Sequence, residues 1–165
     1  MIPFEILTHL KALVPSAEVG LDETQPEPML LVPRAHLTNV AKALRDDEAL
    51  AFDCLMCLSG VDRGAELQVV THLYSMKHGH HVALRCVISK DDALAPSVSS
   101  VWPAAEWHER EAFDLLGIRF SAHPDLRRIL CPDDWEGHPL RKDYVAQTEY
   151  HGIPLTSSPT GESAS

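Results

Sequence analysis

The chain has 165 residues, of which 45% are hydrophobic and 23% are charged, a composition that predicts one soluble globular domain plus tails. No run approaches the roughly 18 apolar residues that a membrane-spanning helix requires, and the first residues lack the pattern of a secretory signal, which predicts a cytosolic protein. Because 24 acidic residues outnumber 14 basic ones, the net charge of −10 argues against a nucleic-acid-binding surface and favours protein partners.

The first 50 residues alternate helical patterns with extended ones. Apolar residues at helical spacing predict a helix over 4–13, and the proline-bearing, acidic stretch 15–28 is typical of a loop. Residues 29–32 have the pattern of a short strand. Thr38 is a candidate N-cap for a helix over 39–50.

Strands are predicted in the middle of the chain. The three predicted strands are 52–58, 66–74 and 81–89. The last two alternate apolar and polar residues on either side of Lys77-His78-Gly79, so they are expected to form an antiparallel hairpin. Pro103 and Gly117 then enclose a helical stretch, because proline is favoured inside the start of a helix and glycine past its end.

This order of elements predicts an α+β fold, a mostly antiparallel sheet with helices packed on it. Residues 120–144 follow without a clean period and are too rich in Trp, Leu, Ile and Arg for disorder, which predicts an extended C-terminal docking segment. The predicted divisions are an N-terminal helix and linker (1–28), an α+β domain (29–120), the extended C-terminal segment (121–147) and a flexible tail (148–165).

A C-x-x-C pair is the first candidate for metal or redox chemistry. Cys54 and Cys57 have the spacing of zinc and thioredoxin-like sites, but Cys86 and Cys131 are single, whereas zinc needs about four ligands. Residues three apart on a regular strand also point to opposite faces. A structural role for the cysteines is therefore favoured.

Histidines are the second candidate. His78-Gly79-His80-His81, with His72 nearby, could bind a transition metal, but polar residues and glycine are expected at a hairpin tip, which favours a solvated turn. His108 and Glu109 begin the zinc-protease pattern H-E-x-x-H. Ala112 occupies the place of the second histidine, which excludes that motif here.

The predicted third helix is densely charged. Glu106, Arg110 and Asp114 are successively four residues apart, which predicts an acid–base–acid ladder on one helix face. Trp107 and Glu111 share an adjacent face with Asp114. Cationic neighbours keep these carboxylates ionised, which disfavours general acid–base catalysis. Two interpretations remain, a solvated helix face or a face that docks onto charged and aromatic groups.

The C-terminal segment favours docking. Its arginines can pair bidentately with carboxylates, and Trp135 and Tyr144 are large anchors of the kind enriched in interface hot spots. Acidic residues are interspersed among the cations, which suits a protein interface or an internal salt-bridge network. The segment contains no nucleophile with an adjacent base and no glycine-rich phosphate cradle.

Three motifs within residues 105–144 resemble a family signature. They are Ala105-x-Trp107-x-Glu109-Arg110-Glu111-x-x-Asp114-Leu115-x-Gly117-Ile118-x-Phe120, His123-Pro-Asp-Leu-Arg-Arg128 and Asp134-Trp-x-Gly-x-Pro-Leu-Arg-Lys-Asp-Tyr144. The pattern resembles the thirty-kilodalton subunit of respiratory complex I, the proton-translocating NADH:quinone oxidoreductase, which in bacteria is its C-type subunit. The residues taken as signature and subunit interface are Trp107, Glu109, Arg110, Glu111, Asp114, Gly117, His123, Pro124, Asp125, Arg127, Arg128, Asp134, Trp135, Gly137, Arg141, Lys142, Asp143 and Tyr144.

The resemblance implies a peripheral-arm subunit on the cytoplasmic face of the bacterial inner membrane. It implies packing against the D-type subunit, the forty-nine-kilodalton type, next to cluster-bearing subunits and near the quinone site. NADH, FMN, iron–sulfur clusters and quinone would then bind in other subunits, with no cofactor, metal or catalytic residue in this chain. The implied role is structural support of assembly.

The sequence departs from the family pattern at four positions. Glu106 stands where an amide is frequent, Ala122 where glycine is usual, Cys131 at a commonly aliphatic position and Val145 where proline is common. None of these changes removes a charged signature residue. Two alternatives remain, the equivalent subunit of a membrane-bound hydrogenase or of a ferredoxin- or F420-dependent relative, and an independent metal or redox protein that uses the cysteines and histidines.

Overall fold

A computed structural model of the protein describes residues 1–155. The helices and strands in chain order are α1 (Pro3–Leu13), β1 (Gly20–Asp22), β2 (Met29–Leu31), α2 (Leu37–Asp46), β3 (Cys54–Asp62), β4 (Glu66–Tyr74), β5 (His81–Ser89), β6 (Leu94–Pro96), α3 (Ala105–Leu116), β7 (Arg119–Ser121), β8 (Glu149–Tyr150) and β9 (Ile153–Pro154), with 3-10 turns at Pro15–Ala17 and Arg34–His36. The α+β class predicted from the sequence is confirmed. Within residues 1–155, no helix is long and apolar enough to cross a membrane.

The main sheet has five strands in the order β1-β2-β5-β4-β3. All neighbours are antiparallel except β2, which lies parallel to β5. The predicted hairpin is confirmed, with Glu66 opposite Ser89 at one end and Tyr74 opposite His81 at the other. Its alternating apolar residues lie on one face and join the core.

The helices cover that apolar face. Ile6 and Leu10 of α1 and Leu44 of α2 are fully buried in the same core as the strands. Helix α3 packs on β3, where Gly60 allows close approach: a Cβ at that position would lie 2.5 Å from Leu116 Cδ1. The edge strand β3 therefore positions α3 and the C-terminal segment that packs on this helix.

A β-bulge in β3 overturns one prediction about the cysteines. The register shifts between Leu55 and Cys57, so that Cys54 is opposite Tyr74 and Cys57 is opposite His72. Because Tyr74 and His72 are two residues apart on β4, both cysteines lie on the same face of the sheet. The expectation of opposite faces is wrong, since a bulge inserts one residue and resets the alternation.

Several short strands were not predicted from the sequence. Residues 20–22, expected in a loop, form β1, and β6 pairs in parallel with β7 although neither was predicted. Helix α2 ends at Asp46, earlier than expected. Strands β8 and β9 lie inside the expected flexible tail, whose remainder, 156–165, lies outside the described residues. The domain boundaries stay predictions.

Candidate functional site

The C-terminal segment folds back along α3 and is held there by Asp114. This carboxylate is fully buried. Its Oδ2 accepts hydrogen bonds from the backbone N–H groups of Ile129, Leu130 and Cys131, at 3.0, 2.7 and 2.8 Å. Its Oδ1 pairs with Nη1 of Arg128 at 2.7 Å. Burial alone would raise the pKa of Asp114, but these donors together lower that pKa to about 2.

Arg128 binds the segment to itself as well as to the helix. Its Nη2 donates to the carbonyls of Trp135 and Gly137, at 2.8 and 3.0 Å. Only 15% of the Arg128 side chain is exposed. Arg128 therefore forms its hydrogen bonds with groups of the same chain, and these bonds fix the path of residues 128–137.

The predicted acid–base–acid ladder is wrong. Within residues 1–155, Arg110 forms no ion pair with Glu106 or Asp114; its Nε and Nη2 donate instead to the carbonyls of Arg127 and Arg128, at 3.2 and 3.1 Å. The ion-pair partner of Asp114 is Arg128 instead of Arg110. The solvated-face interpretation fails for the same reason, because Arg110 and Asp114 are buried and have internal partners.

Glu109 is a second buried carboxyl of α3, with no exposed surface. Its Oε1 accepts the backbone N–H of Val98 at 2.7 Å, and its Oε2 accepts the hydroxyl of Ser97 at 2.6 Å. Burial raises the pKa of Glu109, and these two hydrogen bonds only partly offset that effect. The carboxyl ties α3 to the chain that follows β6.

His123 lies beside Glu109 and contacts the backbone of α3. The Nε2 atom of His123 is 4.0 Å from the Glu109 carboxyl. The Nδ1 atom accepts the backbone N–H of Asp125 at 3.0 Å, so the ring proton lies on Nε2, which faces the carbonyl of Glu106 at 3.0 Å. The ring therefore links the segment to α3 by hydrogen bonds.

The C-terminal end of α3 is closed by two side chains from the segment. Gly117 has φ 68°, the left-handed backbone that is typical of a glycine at the predicted end of this helix. A Cβ at this position would lie 2.5 Å from the His138 ring. His138 Nδ1 lies 2.9 Å from the carbonyl oxygen of Asp114, and Arg141 Nε donates to that of Leu116 at 2.6 Å. Carbonyls that a helix leaves without partners are thereby satisfied.

A second anchor joins the segment to the main sheet. Asp62, at the end of β3, accepts the backbone N–H of Lys142 at 2.9 Å and that of Gly64 at 2.6 Å. Lys90 Nζ lies 3.2 Å from Asp62 and 3.0 Å from Asp143. Burial would raise the pKa of Asp62, but these donors lower it. Sequence reasoning missed Asp62 and Lys90, because neither belongs to a motif.

The two aromatic anchors pack against neighbouring parts of the segment and of the chain that follows it. The ring centroids of Trp135 and Tyr150 are 5.3 Å apart. A Cβ on Gly137, whose φ is 76°, would lie 3.0 Å from the Tyr144 ring, so this glycine lets the aromatic side chain close over the backbone. Tyr144 is half-buried, as is Trp135.

Apart from these two aromatic anchors, the signature residues divide into two groups. Those that are buried or half-buried are Glu109, Arg110, Asp114, Gly117, His123, Arg128 and Arg141. Those that are exposed are Trp107, Glu111, Pro124, Asp125, Arg127, Asp134, Gly137, Lys142 and Asp143. Two exposed leucines of the segment, Leu130 and Leu140, were not singled out from the sequence, because single apolar residues carry no pattern.

The histidine cluster is not a simple solvated turn. His80 is buried and its Nε2 lies 2.8 Å from the carbonyl oxygen of Leu50; burial lowers the pKa of His80. His72 and His81 lie 3.7 and 3.9 Å from the carboxylate of Glu27. In the described part of the chain, no three His, Cys, Asp or Glu side chains are arranged to hold a metal ion.

The fold and these contacts define a small α+β protein that uses its charged residues to hold an extended segment against one helix. The family is then given by comparison. The chain belongs to the respiratory-chain NADH dehydrogenase 30 kDa subunit family, whose model matches residues 30–150. The resemblance stated from the motifs is confirmed.

Relatives of similar sequence are bacterial proteins named as the C subunit of NADH-quinone oxidoreductase. The chain is 53% identical to that of Chlorobium phaeobacteroides over 120 residues, covering 71% of this chain and 72% of the relative. It is 43% identical to that of Roseiflexus castenholzii over 141 residues, covering 84% and 81%. It is 53% identical to that of Chloroherpeton thalassium over 118 residues, 70% of this chain, and spans about half (49%) of that longer relative.

Two solved structures share the fold. A trypsin-resistant fragment of Nqo5 matches with a TM-score of 0.61 at 24% identity, over 76% of this chain and 100% of the fragment. A chain of the membrane-bound sulfane sulfur reductase, an archaeal respiratory membrane complex, matches with a TM-score of 0.70 at 25% identity, over 86% of this chain and 85% of that chain.

Proposed function

We propose that the protein is the C-type subunit of a proton-translocating NADH:quinone oxidoreductase and supports its assembly by packing against the D-type subunit, near the quinone site. The observation that carries the proposal is the family match over residues 30–150, which includes the whole anchored segment. The proposed location is the cytoplasmic face of the bacterial inner membrane, in the peripheral arm of the complex.

A fixed docking surface supports this role. The internal contacts of Asp114, Arg128 and Asp62 hold the C-terminal segment in one path, so its exposed residues are presented in a defined arrangement. Ordering a segment before association lowers the entropy that binding must overcome. A clamp of buried charges around an exposed surface is therefore useful to a subunit whose task is to bind other subunits.

The environments of the carboxyl groups favour a role without catalysis in this chain. Asp114, with a pKa of about 2 and all its acceptor positions in use, is a poor general base. Glu109 has no surface through which a substrate could reach it. We propose that NADH, FMN, iron–sulfur clusters and quinone bind in other subunits of the complex.

A second candidate is the equivalent subunit of a related respiratory membrane complex. The likeness to a chain of the sulfane sulfur reductase favours it. Identities of 43 to 53% with subunits named NADH-quinone oxidoreductase, against 25% with that chain, favour the first candidate.

Purification of an affinity-tagged chain from its own organism tests the proposal. The expected result is co-purification with the D-type and cluster-bearing subunits, and loss of NADH:quinone turnover in membranes that lack the chain. Arg128→Ala combined with Arg141→Ala should abolish association, whereas the exposed Arg63→Ala, in the β3–β4 turn, should leave it unchanged. Recovery of hydrogenase or sulfur-reductase subunits instead would establish the second candidate.

A further inference from the structure

The outer side of α3 carries a small groove bordered by apolar side chains. The groove has a volume of about 220 Å³, lies between β3 and α3, and is lined by Ser59, His108, Glu111, Leu115 and Leu140, among others. The Leu140 N–H donates to the carbonyl of Leu115 at 3.0 Å, which fixes the segment beside the helix. Leu140 is nevertheless 60% exposed.

Glu111 is the unusual residue of this groove. It is exposed, and within residues 1–155 it forms no ion pair and no side-chain hydrogen bond. Its charged neighbours on the helix, Glu109, Arg110 and Asp114, all have internal partners. Glu111 is therefore a carboxylate at the edge of a groove that includes Leu115 and Leu140, and its acceptor positions are free of partners within residues 1–155.

Trp107 lies one helical turn before Glu111, on the surface of α3 beside the groove. The indole is 61% exposed. The guanidinium carbon of Arg110 lies 5.2 Å from the ring centroid, so a cation occupies one side of the ring and holds it in place. Fixed, exposed tryptophans are typical binding hot spots.

The size and charge of the groove point to the kind of group that fills it. Small-molecule sites usually measure about 300 to 1,000 Å³, so this groove suits a single side chain of a partner protein. The free, negatively charged carboxylate of Glu111 is complementary to a cation of a partner. Arginine fits best, because its planar head pairs bidentately with a carboxylate while its apolar stem can lie along Leu115 and Leu140.

We propose that this groove receives an arginine of the partner protein, which pairs with Glu111 while neighbouring apolar groups of that protein cover Trp107 and Leu140. The inference rests on the proposed function, in which the partner is the D-type subunit. The part of this chain that contacts the partner is then α3 together with Leu140 of the segment.

The test measures the affinity of the full chain for the D-type subunit of its own complex. Glu111→Arg should weaken binding more than about tenfold, because it places two cations together, and Glu111→Gln should weaken it less. The matched control is Glu23→Arg, the same charge change in the β1–β2 loop at the far edge of the sheet. Thermal unfolding of each variant checks that the fold is intact.

A photo-crosslinking amino acid at position 111 in the assembled complex should identify the facing segment of the partner. Replacing the arginine of that partner segment with glutamate should restore the binding of the Glu111→Arg variant. If the wild-type chain associates and Glu111→Arg binds equally well, the arginine contact is wrong and the proposed function stands. If the wild-type chain does not associate with the D-type subunit, the proposed function falls, and the inference falls with it.

Discussion

Asp114 and Arg128 form a buried ion pair, with 2.7 Å between Oδ1 and Nη1 and exposed side-chain fractions of 0% and 15%. A buried pair is tolerated when its remaining donors and acceptors are also satisfied. That condition is met here, because Asp114 accepts three backbone N–H groups and Arg128 donates to two further carbonyls. The pair is the joint between the helical layer and the extended segment.

Asp114→Asn is expected to lower the free energy of unfolding by about 3 to 5 kcal/mol, because it leaves the Arg128 cation buried without a counterion. Urea denaturation followed by tryptophan fluorescence measures this change. The control is Asp133→Asn, an exposed position without a side-chain hydrogen bond in residues 1–155, which should stay within about 0.5 kcal/mol of the wild type. Equal stability of the Asp114 variant and its control would show that the pair contributes nothing.

Acid should weaken the same joint. The pKa of Asp114 is lowered from 3.8 to about 2, so its contribution to stability is complete above pH 3.8 and is lost as the pH falls towards 2. The shift corresponds to about 2 kcal/mol. Denaturation curves recorded at a series of pH values give the free energy of unfolding at each pH. As the pH falls across this range, that free energy should decrease more steeply for the wild type than for Asp114→Asn. Parallel curves for the two proteins would contradict the assignment.

The sequence predicted long, regular elements well. The β4–β5 hairpin has nine alternating residues in each strand, so its faces and ends could be identified, and the glycine that ends α3 has the expected left-handed backbone. The three-residue strands β1, β6 and β7 were missed because a pattern so short has no period, whereas the equally short β2 was predicted from its run of apolar residues. The bulge at Leu55 and Cys57 was missed because nothing in the sequence marks the inserted residue.

The site was predicted in outline and not in its contacts. Spacing along α3 pairs Arg110 with Asp114, but groups brought in by the later chain compete for both, and these win because they come with backbone donors and acceptors in fixed positions. The contact between Asp62 and the backbone of Lys142 spans 80 residues. Such contacts follow from tertiary folding and have no local pattern.

Ala122 stands in the left-handed backbone region, with φ 61°, at a position where the family pattern has glycine. Ala122→Gly should therefore stabilise the protein by about 0.5 to 1 kcal/mol, since a side chain at positive φ costs slightly more than the extra freedom that glycine gives the unfolded chain. The matched control is Ala12→Gly near the end of α1, which should destabilise the protein. A decrease in melting temperature for both variants would contradict this reasoning.

Gly60→Ala should lower the free energy of unfolding by about 1 to 3 kcal/mol, because the new methyl group overpacks the junction of β3 and α3. Its Cβ would lie 2.5 Å from Leu116 Cδ1 and 3.0 Å from Ile118 Cδ1. Gly20→Ala in β1 is the control, since its Cβ would meet Leu31 at an ordinary 3.6 Å. Chemical denaturation of both variants compares the two sites, and equal effects would argue against close packing at Gly60.

Glu109→Gln should remove a pH dependence from stability. Burial raises the pKa of Glu109 above 4.5, so the folded state binds its proton more tightly than the unfolded state does. The wild type therefore loses stability as the pH rises from 4.5 through the raised pKa, since an ionised carboxylate must then be kept buried.

Glutamine has nearly the same shape and can still accept the N–H of Val98 and donate to Ser97, so its variant should be at least as stable as the wild type at about pH 8 and show a flatter profile. Glu109→Ala serves as the contrast. It leaves a cavity and removes the acceptor for Val98, and it should be destabilised at every pH. Unfolding free energies measured from about pH 5 to about pH 8 distinguish the three proteins. Identical slopes for the wild type and the glutamine variant would mean that Glu109 does not titrate in this range.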